Sequence, residues 1–383
     1  MRITCIEATP IEVPYHRPIP MAIGTNRCAS NIVLKLHTDN GIIGIGEISP
    51  LIPSYSGETQ HTALSLVSEY LGPAILGENP FNIEKLTEKM DKVIIGHMCA
   101  KAGISIALYD AVAKSLDLPV YDLLGGLYRK KIPVCFTLSW GEDLVKEALN
   151  YAKAGFKAIK VKIGRGLKKD IQSLVEVREA LGPDIPIIAD VNQGYSPVMA
   201  IKLVKETEDH IQAVEQPVPL WDIEGMVKIR QSSNIPIIAD ESASTPSDAL
   251  KIIKMSAADM FLLKVMRSGG FRYSKNIVSI GQAAGIPSFA CSMTELGIGT
   301  AANIHFAAST PTLIDVFGFG FDGPLQIFGG TTTIDIKNDI VVKTPVLIDG
   351  AFKTPNGSGL GVELNDENVN KYRNGKTIKL SIN

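Results

Sequence analysis

The chain has 383 residues, of which 45% are hydrophobic and 20% charged, with a formal net charge of −2. That length exceeds the usual single-domain size, so two domains are expected, and the near-neutral balance gives no reason to invoke nucleic acid or an anionic membrane as partner. No apolar run approaches the roughly 18–20 residues of a membrane span. Five scattered cysteines (Cys5, Cys28, Cys99, Cys135, Cys291) without a Cys-x-x-Cys spacing indicate neither a disulfide framework nor a zinc site.

The opening Met1-Arg-Ile-Thr-Cys-Ile-Glu7 alternates like a strand rather than like a signal peptide, so a soluble cytoplasmic protein is expected. Residues 1–50 read as antiparallel strands: Asn31 to Thr38 alternates, Asp39-Asn-Gly41 supplies a hairpin turn, and Ile42 to Glu47 returns. Pro18 to Ser30 lacks periodicity and reads as a loop, as does Pro50 to Thr59. Helical spacing follows over 60–90 and 98–117, for instance Ile104, Leu108, Val112 and Leu116, with a break at Ile94 to Met98. Leu123-Leu-Gly-Gly126 stops this α+β region, and the basic turn Tyr128-Arg-Lys-Lys131 follows it.

From Ile132 strand and helix alternate. Apolar runs begin near Ile132, Lys157, Ile185, Ile211, Ile235, Asp259, Ile286 and Leu313, at intervals of 25, 28, 26, 24, 24, 27 and 27 residues. Helical stretches such as Lys168 to Leu181 and Ser244 to Lys254 fill the gaps. Eight evenly paced units favour a closed α/β barrel over an open doubly wound sheet, and the eighth has the weakest helix signal. Of the tail beyond Thr331, Asp335 to Val342 reads as a strand, and the chain after it is expected to return to the first domain. The division is therefore an α+β capping domain, 1–125, completed by about 350–383, and a barrel, 126–350.

Five ionisable residues close consecutive apolar runs: Lys162, Asp190, Glu215, Asp240 and Lys264, spaced 28, 25, 25 and 24 residues apart. In a barrel these are the carboxyl ends of successive parallel strands, which converge on one mouth. Asp190, Glu215 and Asp240 offer only hard oxygen ligands, the set that suits Mg²⁺, or Mn²⁺ as a substitute, with Asn192 behind Asp190 to hold a ligand in place. The competing reading is that the same carboxylates simply form salt bridges with the lysines. Lys160 and Lys162 lie two apart and share a face; two close ammonium groups repel, which predicts a depressed pKa and a free amine for use as a general base. Lys264 arrives from strand six, across the barrel. Two bases on opposite faces of one carbon, beside a divalent cation that stabilises an enediolate, describe abstraction of an α-proton from a carboxylate substrate.

The set Lys160-Val-Lys162, Asp190-Val-Asn192, Glu215-Gln-Pro217, Asp240-Glu-Ser242 and Lys264 followed by Ser268-Gly-Gly270 resembles the enolase superfamily, and lysines on strands two and six resemble its muconate-lactonizing-enzyme subgroup. The resemblance covers nearly the whole chain. It implies a modified (β/α)7β barrel with an N-terminal capping domain, one Mg²⁺ per subunit held by Asp190, Glu215 and Asp240, Lys162 and Lys264 as the acid/base pair, and a homo-oligomer, dimer to octamer. It also implies that loops around 17–30 and 50–59, the latter containing Tyr55, close over a small-molecule carboxylate. The chemistry implied is racemisation or epimerisation of a dipeptide, N-acyl amino acid or related derivative. A muconate-type cycloisomerase, an o-succinylbenzoate-synthase-like dehydratase and a non-catalytic relative are the alternatives.

The end of strand eight discriminates among members of this kind. Dipeptide epimerases show Asp-x-Asp before a glycine and muconate enzymes a glutamate at the first of those positions, whereas this chain reads Phe319-Gly-Phe-Asp322-Gly323. Asp322 matches the second aspartate and Gly320 departs from both patterns. Phe317, Phe319 and Phe321 are candidates for substrate contact or for core. Glu295 is a candidate for a substrate ammonium or for a rim salt bridge. His97 and His305 read as structural.

Overall fold

The computed structural model describes residues 1–141, 143–331, 336–343 and 345–382. The N-terminal third builds an antiparallel sheet from Ile3–Met21, Gly24–Thr38 and Ile43–Ile48, and the C-terminal strand Ile378–Ser381 joins it beside the first. The expected turn forms, with Gly41 in the left-handed region at φ 82° and its N–H donated to the Thr38 carbonyl at 3.1 Å. The expected loop over Pro18 to Ser30 does not. The hairpin ladder instead continues to its tip, pairing Ile19 with Asn26 and Met21 with Gly24. A register shift between Pro14 and Ile19 breaks the alternation that sequence reading depends on. The prolines here are tolerated because Ile378–Ser381 pairs only with Cys5 to Ala8, and beyond it that edge is met only by the Ile11 to Arg373 bridge among the described residues.

Helices Gln60–Leu66, Ile83–Val93 and Met98–Ser115 cover the sheet. Met98–Ser115 is buried nearly all round, which its sequence announces by being apolar on every face. It lies directly on Ile43–Ile48: a Cβ at Gly44 would stand 2.2 Å from the Ala107 carbonyl oxygen.

The second region is a parallel barrel. Seven strands follow one another in order: Cys135–Leu138, Ala158–Lys162, Ile187–Asp190, Ala213–Glu215, Ile237–Ala239, Met260–Leu263 and Ser288–Ala290. Each is followed by a helix, from Leu144–Lys153 to Gly297–Ser309. The eighth run closes the ring through parallel bridges from Leu313 to Ser288, Gly320 to Cys291 and Phe319 to Val134. Only the short helix Gly323–Phe328 follows it, so the architecture is (β/α)7β rather than the regular eightfold unit that the spacing alone suggests. The first strand starts later than expected. Lys131–Pro133 pairs with Ala351–Lys353 in a small antiparallel sheet, and Cys135 begins the barrel.

In the tail, Asp335 lies outside the described residues. Ile336–Asn338 forms a 3₁₀ turn, and only Val341 bridges, to Leu364, so the expected strand over Asp335 to Val342 is not present among the described residues. The later segment does return to the cap: Asp110 accepts hydrogen bonds from the backbone N–H groups of both Ile45 and Leu360 at 2.8 Å. No helix of the described residues is long and apolar enough to cross a membrane.

Candidate active site

Strand alternation decides what the barrel interior contains. Ala158, Ile188, Ala213, Ile238, Leu262 and Phe289 form one packed apolar cluster inside the ring. Two residues further along the same strands, on the same inward face, stand Lys160, Asp190, Glu215, Asp240, Lys264 and Cys291. Lys162 is two beyond Lys160 and level with Asp190, which is level with Glu215.

The structure brings the expected lysines and carboxylates together as ion pairs. Lys162 Nζ lies 2.6 Å from Asp190 Oδ2 and donates to Asn192 Oδ1 at 2.5 Å, while Lys160 Nζ lies 3.0 Å from Glu215. Asp240 is held from two sides, by Lys264 at 2.5 Å and Arg267 at 2.6 Å. The Tyr55 hydroxyl donates to Asp240 Oδ2 at 2.7 Å and accepts from Lys264 and Arg267. The salt-bridge reading of these residues therefore describes their contacts.

It does not balance their energetics. Burial pushes the Glu215 carboxyl up to about 8, with Asp190 and Asp240 adding to the push against Lys160. Glu241 rises to about 7 by burial and the repulsion of Asp240 and Asp190, and its Oε2 is buried without a hydrogen-bond partner. Burial acts the same way on Asp190 and Asp240, but Lys162 and Lys160 hold the first below the usual carboxylate range, and Arg267 and Lys264 the second. Buried carboxylates that repel one another form an all-oxygen donor set, which fits a hard divalent cation. As a set they are spread wider than a closed coordination sphere, each drawn to its own cation. Among the described residues, the three-ligand group gathered within 4.8 Å is Cys5, Glu7 and His37 on the cap sheet, where Lys379 already pairs with Glu7 at 2.8 Å.

One electrostatic expectation is overturned. Mutual repulsion was to depress a lysine, yet both stand above the usual lysine range. Burial does work downward on Lys160, but Cys291, Glu215 and Asp190 outweigh it; for Lys162, Asp190 outweighs both burial and the repulsion of Lys160. At Lys162 the carboxylate level with it, Asp190, is stronger in effect than the second ammonium.

A cavity of about 60 Å³ opens above this layer. Lys160, Lys162, Asp190 and Lys264 line it from the barrel, and Ile19, Met21, Leu51 and Tyr55 from the cap. Leu51 and Thr294, both on its wall, are non-glycine residues in the left-handed region, at φ 63° and 55°, where backbone strain commonly marks a site. The tip of the cap hairpin is pinned over the mouth. A Cβ at Gly164 or Gly194, in the loops beyond Lys162 and Asp190, would come within 2.7 Å of the Ala22 Cβ.

The remaining candidates divide. Asp322 lines the cavity, its Oδ2 accepting from the Thr137 N–H at 2.7 Å and from Gln326 at 3.0 Å. Phe319 and Phe321 do not reach it: Gly320 faces inward, so its neighbours point outward and stack in the core, ring centroids 5.5 Å apart. Phe317 packs on Phe289 in the barrel floor. Glu295 does not line the cavity, and no salt bridge holds it among the described residues. It is buried behind the wall, accepts from the Met293 N–H at 2.7 Å, and rises to about 7 through burial, with Glu47 beside it adding to the rise. His305 is a buried structural residue, accepting from the Tyr121 N–H at 3.1 Å, and His97 sits at the start of Met98–Ser115 off the cavity. Sequence reading missed Arg267 and Glu241. Both were in view, one three residues after Lys264 and the other next to Asp240, but neither closes a strand.

Known proteins add a frame to this geometry. Residues 5–125 match the mandelate racemase/muconate lactonizing enzyme N-terminal domain, and residues 143–368 match the enolase C-terminal domain-like family. An N-succinyl-L-Arg/Lys racemase of Bacillus cereus is 33% identical over 374 residues, covering 96% of this chain and 97% of that protein. A chloromuconate cycloisomerase of Cupriavidus necator is 32% identical over 379 residues, covering 97% and 99%. The crystal structure of a dipeptide epimerase from Cytophaga hutchinsonii, complexed with Mg and the dipeptide D-Ala-L-Val, superposes with a TM-score of 0.90 at 32% identity, covering all of both chains. A cap and a barrel matched along their length, with lysines on strands two and six, place this chain in the mandelate racemase/muconate lactonizing enzyme family of the enolase superfamily.

Proposed function

We propose that this protein is a Mg²⁺-dependent isomerase that takes the α-proton from a carboxylate substrate and returns it to the opposite face, racemising or epimerising an amino-acid derivative. The observation that carries this reading is the pairing of Lys162 and Lys264, from opposite sides of the barrel, on the walls of one cavity. Asp190, Glu215 and Asp240, on strands three to five between them, would hold the ion. When bound, that cation supplies the positive charge that stabilises the electron density a carboxylate gains as its α-proton leaves.

The side chains supply the rest. A neutral amine at one lysine accepts the proton while the ammonium of the other donates one from across the substrate plane, so each turnover exchanges their protonation states. Asn192 fixes the Lys162 amine, and Tyr55 with Arg267 fixes Lys264. Lys160 holds Glu215 and adds positive potential at Lys162. The cap hairpin and the loop bearing Tyr55 exclude water.

Incubation with a library of dipeptides and N-acyl amino acids in D₂O tests this reading: α-deuterium enters at least one member, and no exchange in any contradicts it. A second reading is a lactone-forming cycloisomerase, supported by the likeness to the chloromuconate enzyme. Loss of muconate ultraviolet absorbance would select it. A cytoplasmic location and homo-oligomeric assembly belong to the same proposal, and analytical ultracentrifugation tests the assembly.

A further inference from the structure

The outward face of the cap sheet carries a second group of donors, apart from the cavity. Cys5 and Glu7 lie two apart on strand Ile3–Met21 and point the same way, while Ile6 and Ala8, which alternate with them, face the core. On the neighbouring strand Gly24–Thr38, His37 stands directly opposite Cys5. That pairing depends on an irregularity. Ile3 is opposite Thr38, so Thr4 is the extra residue that brings Cys5 level with His37. One ligand atom from each of Cys5, Glu7 and His37 lies within 4.8 Å of the others, and none of the three residues lines the cavity.

The contacts within this group leave it incomplete. His37 Nε2 is buried without a hydrogen-bond partner, 3.6 Å from Glu7 Oε1 and beyond hydrogen-bond reach of it. Cys5 is a free thiol. Lys35, opposite Glu7, is drawn away to Asp366 at 2.6 Å. Lys379 pairs with Glu7 at 2.8 Å, but its side chain is 62% exposed, and a surface ion pair of that kind yields to a cation bound more tightly. A tetrahedral Zn²⁺ with bonds of about 2.0–2.3 Å holds its ligands roughly 3.3–3.6 Å apart, the spacing already present between His37 and Glu7.

We propose that Cys5, Glu7 and His37 form a Zn²⁺ site on the cap, separate from the Mg²⁺ layer and independent of the isomerase reading. A thiolate sulfur, an imidazole nitrogen and a carboxylate oxygen are the donors of a borderline divalent ion, whereas the barrel carboxylates offer oxygen only. Three protein ligands leave the fourth position to water. Binding releases the thiol proton to solvent and frees Lys379 from Glu7. The ion ties the first two cap strands together across their irregular pairing. The sequence hides this site because its ligands converge from two strands rather than from a Cys-x-x-Cys turn.

The test uses Co²⁺, a spectroscopic stand-in for Zn²⁺, titrated into the full chain with Mg²⁺ in excess to occupy the barrel carboxylates. One Co²⁺ per chain binds with a thiolate-to-metal charge-transfer band in the near ultraviolet, and Zn²⁺ displaces it. Cys5→Ser removes the band. His37→Ala weakens binding at least about tenfold, since even the outer partners of a metal ligand matter by that much. Lys379→Ala, which deletes the competing ammonium from strand Ile378–Ser381, tightens binding and keeps the question decidable if a ligand variant misfolds. Absence of the band, a band that survives Cys5→Ser, or binding indifferent to Lys379→Ala overturns the site.

Discussion

The floor and the mouth of the barrel differ by one step of strand alternation. Ile188, Ala213, Ile238 and Leu262 face the axis as Asp190, Glu215, Asp240 and Lys264 do, on the same strands and equally withdrawn from water. The floor is a packed apolar layer that stabilises the ring. The mouth is an ionised layer in which Glu215 is driven to about 8 and Glu241 to about 7 by burial and mutual repulsion. A layer so unfavourable beside one so favourable separates what the fold needs from what the chemistry needs.

Substitutions in the two layers should therefore fail differently. Lys162→Ala or Lys264→Ala lowers racemisation by roughly 10²–10⁴-fold, measured by polarimetry, because a proton carrier is lost from one face. The fold should survive, as either residue sits at a strand end. Leu262→Ala does the reverse: it removes about 2–5 kcal/mol of stability in denaturant titration through the cavity it leaves, with KM nearly unchanged.

Lys160→Ala sharpens the comparison within the mouth. Lys160 works to lower the Lys162 pKa even though Asp190 outweighs it. Its removal moves the rising limb of the pH–rate profile to higher pH, and an unshifted profile would contradict the role assigned to it.

A smaller effect comes from the acids behind the wall. Burial pushes Glu47, Glu295 and Asp339 each up to about 7. Their unfolded values lie near 4, so the folded chain holds their protons more tightly. The stability this provides is complete below about pH 4 and is lost as pH rises through about 7. Glu295→Gln keeps that side chain neutral, so melting temperature should fall less between pH 5 and 8.5 than in the unaltered protein.

Much of this contrast was legible in the sequence. Asp190, Glu215, Asp240 and Lys264 each follow a run of buried residues, so one period places them at the strand ends where they are found. Phase errors account for most of the rest. Phe319 and Phe321 were read as site candidates although Gly320 between them faces inward. Prolines and a register shift hid the strand over Ile19 and Met21, two residues of the cavity wall. Arg267 escaped because it reaches Asp240 from the helical turn Val265–Ser268 rather than from a strand, and no alternation predicts that. The sign of the lysine shifts depended on distances that spacing does not carry.

Calorimetric titration with Mg²⁺ bears most directly on whether the ionised layer is a metal site rather than a set of buried salt bridges. One ion should bind per chain, with binding abolished by Asp240→Asn and preserved in Leu262→Ala. No binding at millimolar Mg²⁺, or binding indifferent to Asp240→Asn, would contradict the account.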